Sequence, residues 1–350
     1  MIQTRHAAAL IMLAGAMLPA APALAFAGTQ ESAARAAVPT SRVMRYQRDR
    51  GENRFEQTER QTRTVKIGAG GSLELHNMAG DITVAAGGGD TATIDILKTA
   101  RGTSDADARA QLALVPVDVI ERAGRVEVWA RYPDDRRRTT RRNINVSTAY
   151  RVTAPAGTRI KTDSISGRVT VSGIRGELAL GTISGDIRIQ DAGRVINGQT
   201  ISGNVELVSA QDDAVVELSS TSGNVHARGI KVRRIDLGSI SGSIIARDLQ
   251  CDQADLHTMS GNVEYTGSLT PAGRYDFRSH SGNVRLTVGT GVGFEIEASS
   301  FSGEVRSGLQ QLRVDSRTGR RNRTIRGTYG DGRARIEATS FSGDVVINGR

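Results

Sequence analysis

The chain has 350 residues, one cysteine, few aromatic residues and a formal net charge of +9. The lone Cys251 excludes an intramolecular disulfide, so packing and hydrogen bonds must stabilise the fold. A basic balance favours polyanionic partners, but net charge alone identifies none of them.

Residues 1–27 have the composition of a secretory signal peptide. A basic start precedes an apolar run over residues 7–18, and residues 23–25 or 25–27 fit an Ala-x-Ala cleavage site. The apolar run is shorter than the ~20 residues that a membrane-spanning helix needs. We therefore expect an exported protein in the periplasm, the outer envelope or outside the cell, with no transmembrane segment in the mature chain.

Three segments follow before the regular part of the chain. Residues 28–63 are polar and charged, which predicts a flexible lead-in. From residue 64, short apolar alternations separated by glycines predict strands. Residues 103–149 interrupt this pattern, and Ser104 with acidic residues after it predicts the start of a short helix. We interpret 103–149 as an insertion that caps the repeats.

A periodic series of nine Ser-Gly pairs runs from residue 166 to residue 343, at intervals of 18–21 residues and a last interval of 40. Such a short period indicates one small unit stacked on copies of itself. Ser or Thr always stands two positions before the Ser, and Val or Ile always stands three positions after it. These columns predict two strands flanking a turn. The sequence predicts an all-β fold: a single β-solenoid over residues 64–350, with about nine to ten coils and a period near 19–20 residues.

We expect the Ser-Gly pairs to form a structural ladder. In parallel coils, identical hydroxyls lie ~4.8 Å apart, so each hydroxyl can donate to the next. The glycine would supply a positive φ or a close approach between backbones. The predicted ladder consists of Ser166, Gly167, Ser184, Gly185, Ser202, Gly203, Ser222, Gly223, Ser241, Gly242, Ser260, Gly261, Ser281, Gly282, Ser302, Gly303, Ser342 and Gly343.

The position just before each Ser is mostly apolar and has two interpretations. We favour core residues; the alternative is an exposed stripe, which would mark a contact surface. The column consists of Ile165, Ile183, Ile201, Thr221, Ile240, Met259, His280, Phe301 and Phe341.

The long last interval contains an arginine-rich segment, 309–329, which we interpret as a hairpin or loop leaving the second-last coil. The last coil is then expected at the exposed end of the stack. A second basic run lies inside the insertion. Guanidinium groups bind phosphate and carboxylate bidentately, so both runs are candidates for polyanion contact: Arg136, Arg137, Arg138, Arg141, Arg142, Arg317, Arg320, Arg321, Arg323 and Arg326. Specific nucleic-acid binding is not expected, because aromatic residues do not alternate with the basic ones.

No catalytic, cofactor or metal motif is expected. The histidines of the repeats, at 226, 257 and 280, fall in different columns and need not converge on one centre. Several carboxylates, at 186, 206, 264, 304 and 344, could line one side as in a polysaccharide lyase or hydrolase, but turn and strand-surface positions explain them without catalysis.

The segment from Leu73 to Val84, followed by tandem Ser-Gly-Asn/Asp-Val units ending at Val345, resembles the bacterial putative-adhesin family known as domain of unknown function 4097. The resemblance covers roughly residues 64–350. It implies an exported or envelope-associated β-solenoid, and it supplies no catalytic residues.

The expected function is that of a non-enzymatic, adhesin-like binding protein or structural protein of the bacterial envelope. Its expected partners are an acidic glycan, another envelope polyanion or an envelope protein. The alternatives are a polysaccharide-active enzyme on the same fold and an accessory protein in envelope-stress signalling. An acid cluster in a groove would favour the enzyme, whereas an exposed apolar stripe would favour a protein partner.

Overall fold

The computed structural model describes residues 55–133, 144–211, 215–318 and 323–350. The expected signal peptide and residues 28–54 of the expected lead-in lie outside these residues, whereas residues 55–63 of that lead-in lie in a β-strand, Phe55–Lys66. The described chain forms two long sheets, sheet A with 13 strands and sheet B with 14.

Sheet A contains every strand that follows a Ser-Gly turn. Its strands are β1 (Phe55–Lys66), β3 (Ile82–Gly87), β4 (Thr91–Gly102), β7 (Val146–Pro155), β9 (Val169–Ser172), β11 (Ile187–Ala192), β13 (Val205–Gln211), β15 (Val225–Lys231), β17 (Ile244–Gln250), β19 (Val263–Ser268), β21 (Val284–Val288), β23 (Val305–Ser307) and β27 (Val345–Gly349).

Sheet B contains every strand that leads into a Ser-Gly turn. Its strands are β2 (Ser72–Ala79), β5 (Val117–Arg122), β6 (Arg125–Ala130), β8 (Arg159–Ser166), β10 (Glu177–Ser184), β12 (Arg194–Ser202), β14 (Val215–Ser222), β16 (Arg234–Ser241), β18 (Gln253–Ser260), β20 (Arg274–Ser281), β22 (Phe294–Ser300), β24 (Arg313–Thr318), β25 (Thr324–Tyr329) and β26 (Ala334–Ser342).

Each coil consists of one strand from each sheet. When the antiparallel strands β1 and β4 of sheet A and β5, β24 and β25 of sheet B are set aside, eleven parallel strands remain in each sheet, so the described residues form eleven coils. The coil made by β6 and β7 lacks the Ser-Gly motif, which is why the sequence period does not show it. The β-solenoid predicted from the repeats is confirmed.

The core lies between the two sheets, because apolar residues alternate along every strand. In sheet B the buried side chains stand six, four and two positions before the Ser, and in sheet A they begin three positions after it. Leu218 and Val225, on either side of one turn, are both fully buried. The period-two pattern of the sequence therefore forms one continuous aliphatic core.

A helix, α1 (Asp105–Leu114), packs against β4 and β1. Its N-cap is Ser104, whose side chain accepts a hydrogen bond from the Asp107 backbone N–H, as predicted. At its other end the buried Lys98 ammonium donates to the carbonyls of Leu112 and Val115, at 3.3 and 3.4 Å. This side chain therefore satisfies carbonyl groups at the end of the helix and beyond it.

The hydroxyl ladder is built differently from the expectation. In seven of the nine repeats, the buried Ser or Thr two positions before the Ser donates to the glycine carbonyl of the neighbouring coil, as Ser220 does to Gly203 at 2.9 Å and Thr258 to Gly242 at 2.9 Å. The Ser of the Ser-Gly pair points outward and is exposed. These buried hydroxyl groups thus donate to backbone carbonyls at the turn and do not bond one another.

The glycines of the ladder are required by close backbone approach. A Cβ added at Gly223 would lie 1.9 Å from the carbonyl oxygen of Gly203, and all nine Ser-Gly glycines are similarly crowded by a glycine carbonyl in the adjacent coil. No side chain fits at this separation.

The residues after the glycines form a further ladder. Asn204 accepts a hydrogen bond from the Asn224 backbone N–H at 2.9 Å, and Asn224 accepts one from Ser243 at 2.8 Å. The series continues to the end of the stack, where Asp344 accepts from the Glu304 backbone N–H at 2.9 Å. From Asp186 onward, each turn is therefore fastened to the next by an Asn, Asp or Ser side chain.

The order of the coils differs from their order in the sequence at both ends. The last coil in the sequence, β26 and β27, lies between β20–β21 and β22–β23. The first, β2 and β3, likewise lies between β6–β7 and β8–β9. The expectation that the last coil is the exposed end of the stack is wrong. The β24–β25 hairpin, formed by the arginine-rich segment, extends sheet B beyond β22 instead.

One column residue departs from the predicted core. Ile196, six positions before a Ser, is 43% exposed, whereas Val195 is fully buried. The pairing of β10 with β12 shifts register at this point, so an extra residue is accommodated and Ile196 turns outward.

Candidate functional surface

An exposed row of apolar side chains follows one edge of the solenoid, at the corner where sheet B meets the Ser-Gly turns. This is the column just before each Ser, so our preference for core residues there is wrong. The apolar ridge, as we call it, consists of eight side chains that are 42–61% exposed: Met78, Ile165, Ile183, Ile201, Ile240, Met259, Phe341 and Phe301.

Strand alternation explains why the ridge faces solvent. The residue just before each ridge position, a hydroxyl residue or Asn77, is buried, so the ridge side chain must point to the opposite face of sheet B. Thr221 and His280 occupy the two remaining positions and are also exposed. The ridge thus spans ten successive coils, or ~43 Å at the spacing between strands.

The ridge ends in a stack of rings. His280 and Phe341 lie 4.7 Å apart, Phe341 and Phe301 lie 4.6 Å apart, and each pair of ring planes is within 6° of parallel. Because the rings cover one another's faces, they present mainly their edges outward. This arrangement suits contact with apolar groups better than stacking on the face of a sugar ring.

The sides of the ridge carry little charge in the half that contains the isoleucines. The groove beside Ile165, Ile183 and Ile201 has a volume of about 530 Å³. Another groove on sheet B, of about 420 Å³, is lined by arginines and carboxylates. Of the described residues that line the groove beside the ridge, Asp163 alone is charged. On the other side of the ridge runs the exposed row of Ser hydroxyls.

A second feature lies on the outer face of sheet B. Six carboxylates occupy the same position in successive coils, and we call them the acid column: Glu217, Asp236, Asp255, Asp276, Glu337 and Glu297. Arginines at 234, 274 and 335 flank part of it and line the 420 Å³ groove.

Burial and like charges alter the ionisation of the acid column. Burial raises the pKa of Asp276 to about 6, and burial together with the neighbouring Asp255 carboxylate raises the pKa of Asp236. A hydrogen bond with His257 lowers the pKa of Asp255 and raises that of the imidazole. Burial and neighbouring negative charges therefore make the ionised form of Asp236 and Asp276 less favourable than it is in water.

His257 lies beside the acid column on the side nearer the ridge. Its Nδ1 is 3.5 Å from Asp255 Oδ1 and 3.8 Å from Asp236 Oδ1. Our comparison of the histidine columns with one another missed this cluster, because its other members are carboxylates. The signal in the sequence is the row of acids five positions before the Ser in the last six repeats, with a histidine two positions further along one strand.

The carboxylates considered for an enzyme have structural partners. Asp186 and Asp344 accept backbone N–H groups in the turn ladder. Glu206 pairs with Arg188, Glu264 with Arg247, and Glu304 with Arg306. The other two histidines of the repeats do not join them: His280 belongs to the ridge, and His226 lies on sheet A.

Of the ten arginines considered for polyanion contact, seven fall outside the described residues: Arg136, Arg137, Arg138, Arg141, Arg142, Arg320 and Arg321. The backbone of Arg317 pairs with that of Ile325 in the β24–β25 hairpin. The carbonyl of Arg323 accepts a hydrogen bond from the Ser300 N–H at 2.8 Å. Arg326 Nε donates to Glu297 at 3.0 Å, so this guanidinium already has a carboxylate partner.

In the described part of the chain, no helix is both long enough and apolar enough to cross a membrane.

Comparison with known proteins identifies a family for the repeat region. The Toastrack DUF4097 family matches residues 73–348. Among curated proteins, none matches the chain.

Three solved structures illustrate the similarity. A protein described as a putative adhesin from Bacteroides fragilis is 15% identical with a TM-score of 0.40, and the match covers 83% of this chain and 97% of that one. A putative lipid binding protein from Parabacteroides distasonis is 13% identical with a TM-score of 0.42 and the same coverage. A putative cell adhesion protein from Clostridium sporogenes is 12% identical with a TM-score of 0.29, covering 84% of this chain and 100% of that one.

Proposed function

The chain belongs to the Toastrack DUF4097 family, and we propose that it is an exported, non-enzymatic binding protein of the bacterial envelope. Its contact surface is the apolar ridge, and its partner is an apolar, elongated segment of another envelope protein. The observation that carries this proposal is the row of half-exposed apolar side chains along ten coils.

The energetics of the ridge support a binding role. Covering the exposed half of one large aliphatic side chain contributes about 1 kcal/mol. Eight such side chains in line can therefore offset a substantial part of the entropy lost on association. Few charged groups lie beside Ile165, Ile183 and Ile201. An apolar partner segment that covers these residues therefore removes few charged groups from water.

Substitution of three ridge residues tests this proposal. Thr221 shows that the ridge accommodates threonine, so Ile183→Thr, Ile201→Thr and Ile240→Thr should preserve the fold. We expect the triple variant to lose capture of a partner from envelope extracts and to lose binding to that partner once it has been identified and purified. The matched control is Ile196→Thr with Val215→Thr, because both residues are exposed and lie outside the ridge.

Equal capture by the ridge variant and by wild type would refute the ridge as the contact surface. Sedimentation velocity on the purified chain distinguishes a further outcome. Self-association that the three threonines abolish would show that the ridge binds a second copy, and this result would contradict the proposed envelope partner.

The arginine-rich segments support polyanion contact as a second role. Retention on acidic polysaccharide or envelope fractions should fall with added salt and with Arg320, Arg321 and Arg323 changed to Gln. A control with the same change in net charge replaces Arg188, Arg194 and Arg306, which all pair with glutamates. Equal loss in both variants would indicate a general charge effect and would contradict a specific role for the segment.

A polysaccharide-active enzyme has less support, although the acid column lies beside a groove with arginines. Glycoside hydrolysis needs two carboxylates on opposite sides of the bond that is cleaved. The acid column places its carboxylates side by side on one sheet face, one coil apart. Shortened polysaccharide after incubation with the wild-type chain, and not with Asp276→Asn, would overturn the non-enzymatic assignment.

A further inference from the structure

The cluster of Asp236, Asp255 and His257 lies on two adjacent strands, β16 and β18, where strand pairing fixes the backbones. One ligand atom from each residue lies within 4.8 Å of the other two. Asp236 and Asp255 stand directly opposite each other in the pairing of these strands, and His257 follows Asp255 by two residues on the same face. We propose that these three side chains bind one divalent transition-metal ion of the Zn²⁺ type.

The distances match a metal centre. Zinc–nitrogen and zinc–oxygen bonds are about 2.1 Å long, so two ligand atoms at corners of a tetrahedron lie ~3.4 Å apart. His257 Nδ1 lies 3.5 Å from the Asp255 oxygen and 3.8 Å from the Asp236 oxygen. Small side-chain rotations therefore suffice to bring all three donors onto one ion.

The orientation of the imidazole also fits. His257 lies over Gly238 of the adjacent strand, where an added Cβ would be 2.9 Å from Nε2. The absence of a side chain at Gly238 thus leaves room for the ring, and Nδ1 faces both carboxylates. A single N–H can donate well to only one carboxylate, whereas a metal ion can bind both.

The choice of metal follows from the ligands. Imidazole is a ligand typical of zinc, copper, iron and nickel, while calcium and magnesium prefer oxygen ligands only. Side-chain exposure of 30% for Asp236, 34% for Asp255 and 54% for His257 leaves the remaining coordination positions open to water.

Nearby charges both assist and oppose the ion. Glu217 and Asp276 continue the acid column on either side of the cluster and favour a cation. Arg234 lies 3.8 Å from Asp236, and Arg278 pairs with Asp276. The arginines reduce the excess of negative charge, and Arg278 also stands opposite His257 in the pairing of β18 with β20, so its charge opposes a cation at the cluster.

The test is titration of the untagged full chain, freed of metal by chelation, with Zn²⁺ in a calorimeter. We expect one ion per chain. Asp236→Asn, Asp255→Asn and His257→Gln should each weaken binding at least as much as loss of an outer-shell partner does, about 10- to 100-fold. Gly238→Ala should also weaken binding, because it displaces the ring while retaining all three ligands.

The matched control is His76→Gln. His76 Nδ1 lies 3.3 Å from Asp163 and its Nε2 lies 4.0 Å from Glu74, so its two carboxylates face different ring nitrogens and share no centre. Zinc binding should be unchanged in this variant. Visible absorption of bound Co²⁺ gives a second readout, and circular dichroism establishes that each variant is folded.

Absence of zinc binding by the folded wild-type chain overturns the site. So does binding that persists unchanged in all three ligand variants, or a loss of equal size in His76→Gln. The ridge variants described above should bind zinc normally, so this inference stands or fails independently of the proposed partner.

Discussion

At the scale of single residues, the ladder glycines are the positions where the fold tolerates least change. Their role is steric, because the neighbouring glycine carbonyl occupies the place of a Cβ in each coil. The sequence showed that glycine is needed there, since it occurs in every repeat. The sequence left two reasons for glycine open, a positive φ and a close approach between backbones. The distances in the structure establish the close approach.

We expect Gly223→Ala to destabilise the protein by about 1–3 kcal/mol or more, which is the range for overpacked sites. The added Cβ would lie 1.9 Å from the Gly203 carbonyl oxygen. Gly88→Ala is the control, because a Cβ at Gly88 meets nothing within 4 Å. Urea unfolding of both variants measures the difference, and equal midpoints would contradict the steric explanation.

The single thiol is predicted to be inert in the native state. Burial raises the pKa of Cys251 from 9.0 to about 12, so the thiolate fraction at pH 8 is roughly a thousandfold smaller than for an ordinary thiol. A thiol reagent should therefore react at pH 8 only after urea has unfolded the chain. Rapid reaction of the native protein would show that Cys251 is accessible.

The same shift predicts a direction for stability at high pH. Because the folded pKa of Cys251 lies above its ordinary value of 9.0, its contribution to stability is complete below that pH and is lost as the pH rises toward about 12. Urea midpoints of wild type and Cys251→Ala should therefore converge over this range. A constant difference between them would contradict the assignment.

At the scale of strands and turns, alternation was the most reliable guide to which side chains are buried. The hydroxyl column lies on the same face of the strand as the apolar columns six and four positions before the Ser. Because those apolar columns are buried, the hydroxyl column must face the core as well. By the same alternation the ridge column had to face solvent, but its isoleucines and phenylalanines suggested core. Alternation fails at Ile196, because one extra residue in β12 reverses which side chains face the core. The repeat period alone does not reveal this extra residue.

The buried hydroxyls allow a matched test of the bonds between coils. Thr258 donates to the Gly242 carbonyl at 2.9 Å, whereas the similarly buried Thr182 hydroxyl has no hydrogen-bond partner among the described residues. Thr258→Val should cost about 1–3 kcal/mol, because it leaves the carbonyl unsatisfied. Thr182→Val should be neutral or stabilising.

Thermal and urea unfolding measure the stability of the two valine variants. Because valine and threonine have similar shapes, the difference between the variants reports the hydrogen bond and not a change in volume. An equal loss in both variants would mean that the hydroxyl column acts through packing alone.

At the scale of the whole molecule, the columns predicted the stack but not the order of its ends. Residues in a repeat specify that coils pair in parallel, and every coil carries nearly the same pairing groups. They do not specify which coil lies next to which. The metal-ligand cluster was missed for a related reason, since its members belong to adjacent coils and to two different columns.

We expect the coil of β26 and β27 to exchange its amide hydrogens as slowly as interior coils do. In an ordinary solenoid the last coil in the sequence is the first to open, because it has one neighbour. Here it has a neighbour on each side in both sheets. Hydrogen exchange followed by mass spectrometry measures this order, and faster exchange in β26–β27 than in β22–β23 would contradict it.

The displaced order of the coils also bears on folding. If the coils form in the order of the sequence, β22 and β23 cannot reach their final neighbours until β26 and β27 fill the level between them and β20–β21. A chain that stops before residue 334 would therefore keep open strand edges inside the stack, and such edges recruit other strands or remain accessible to proteases. The coil that fills this level is thus later in the sequence than the two coils it separates, so the stack closes only when β26 and β27 insert between them.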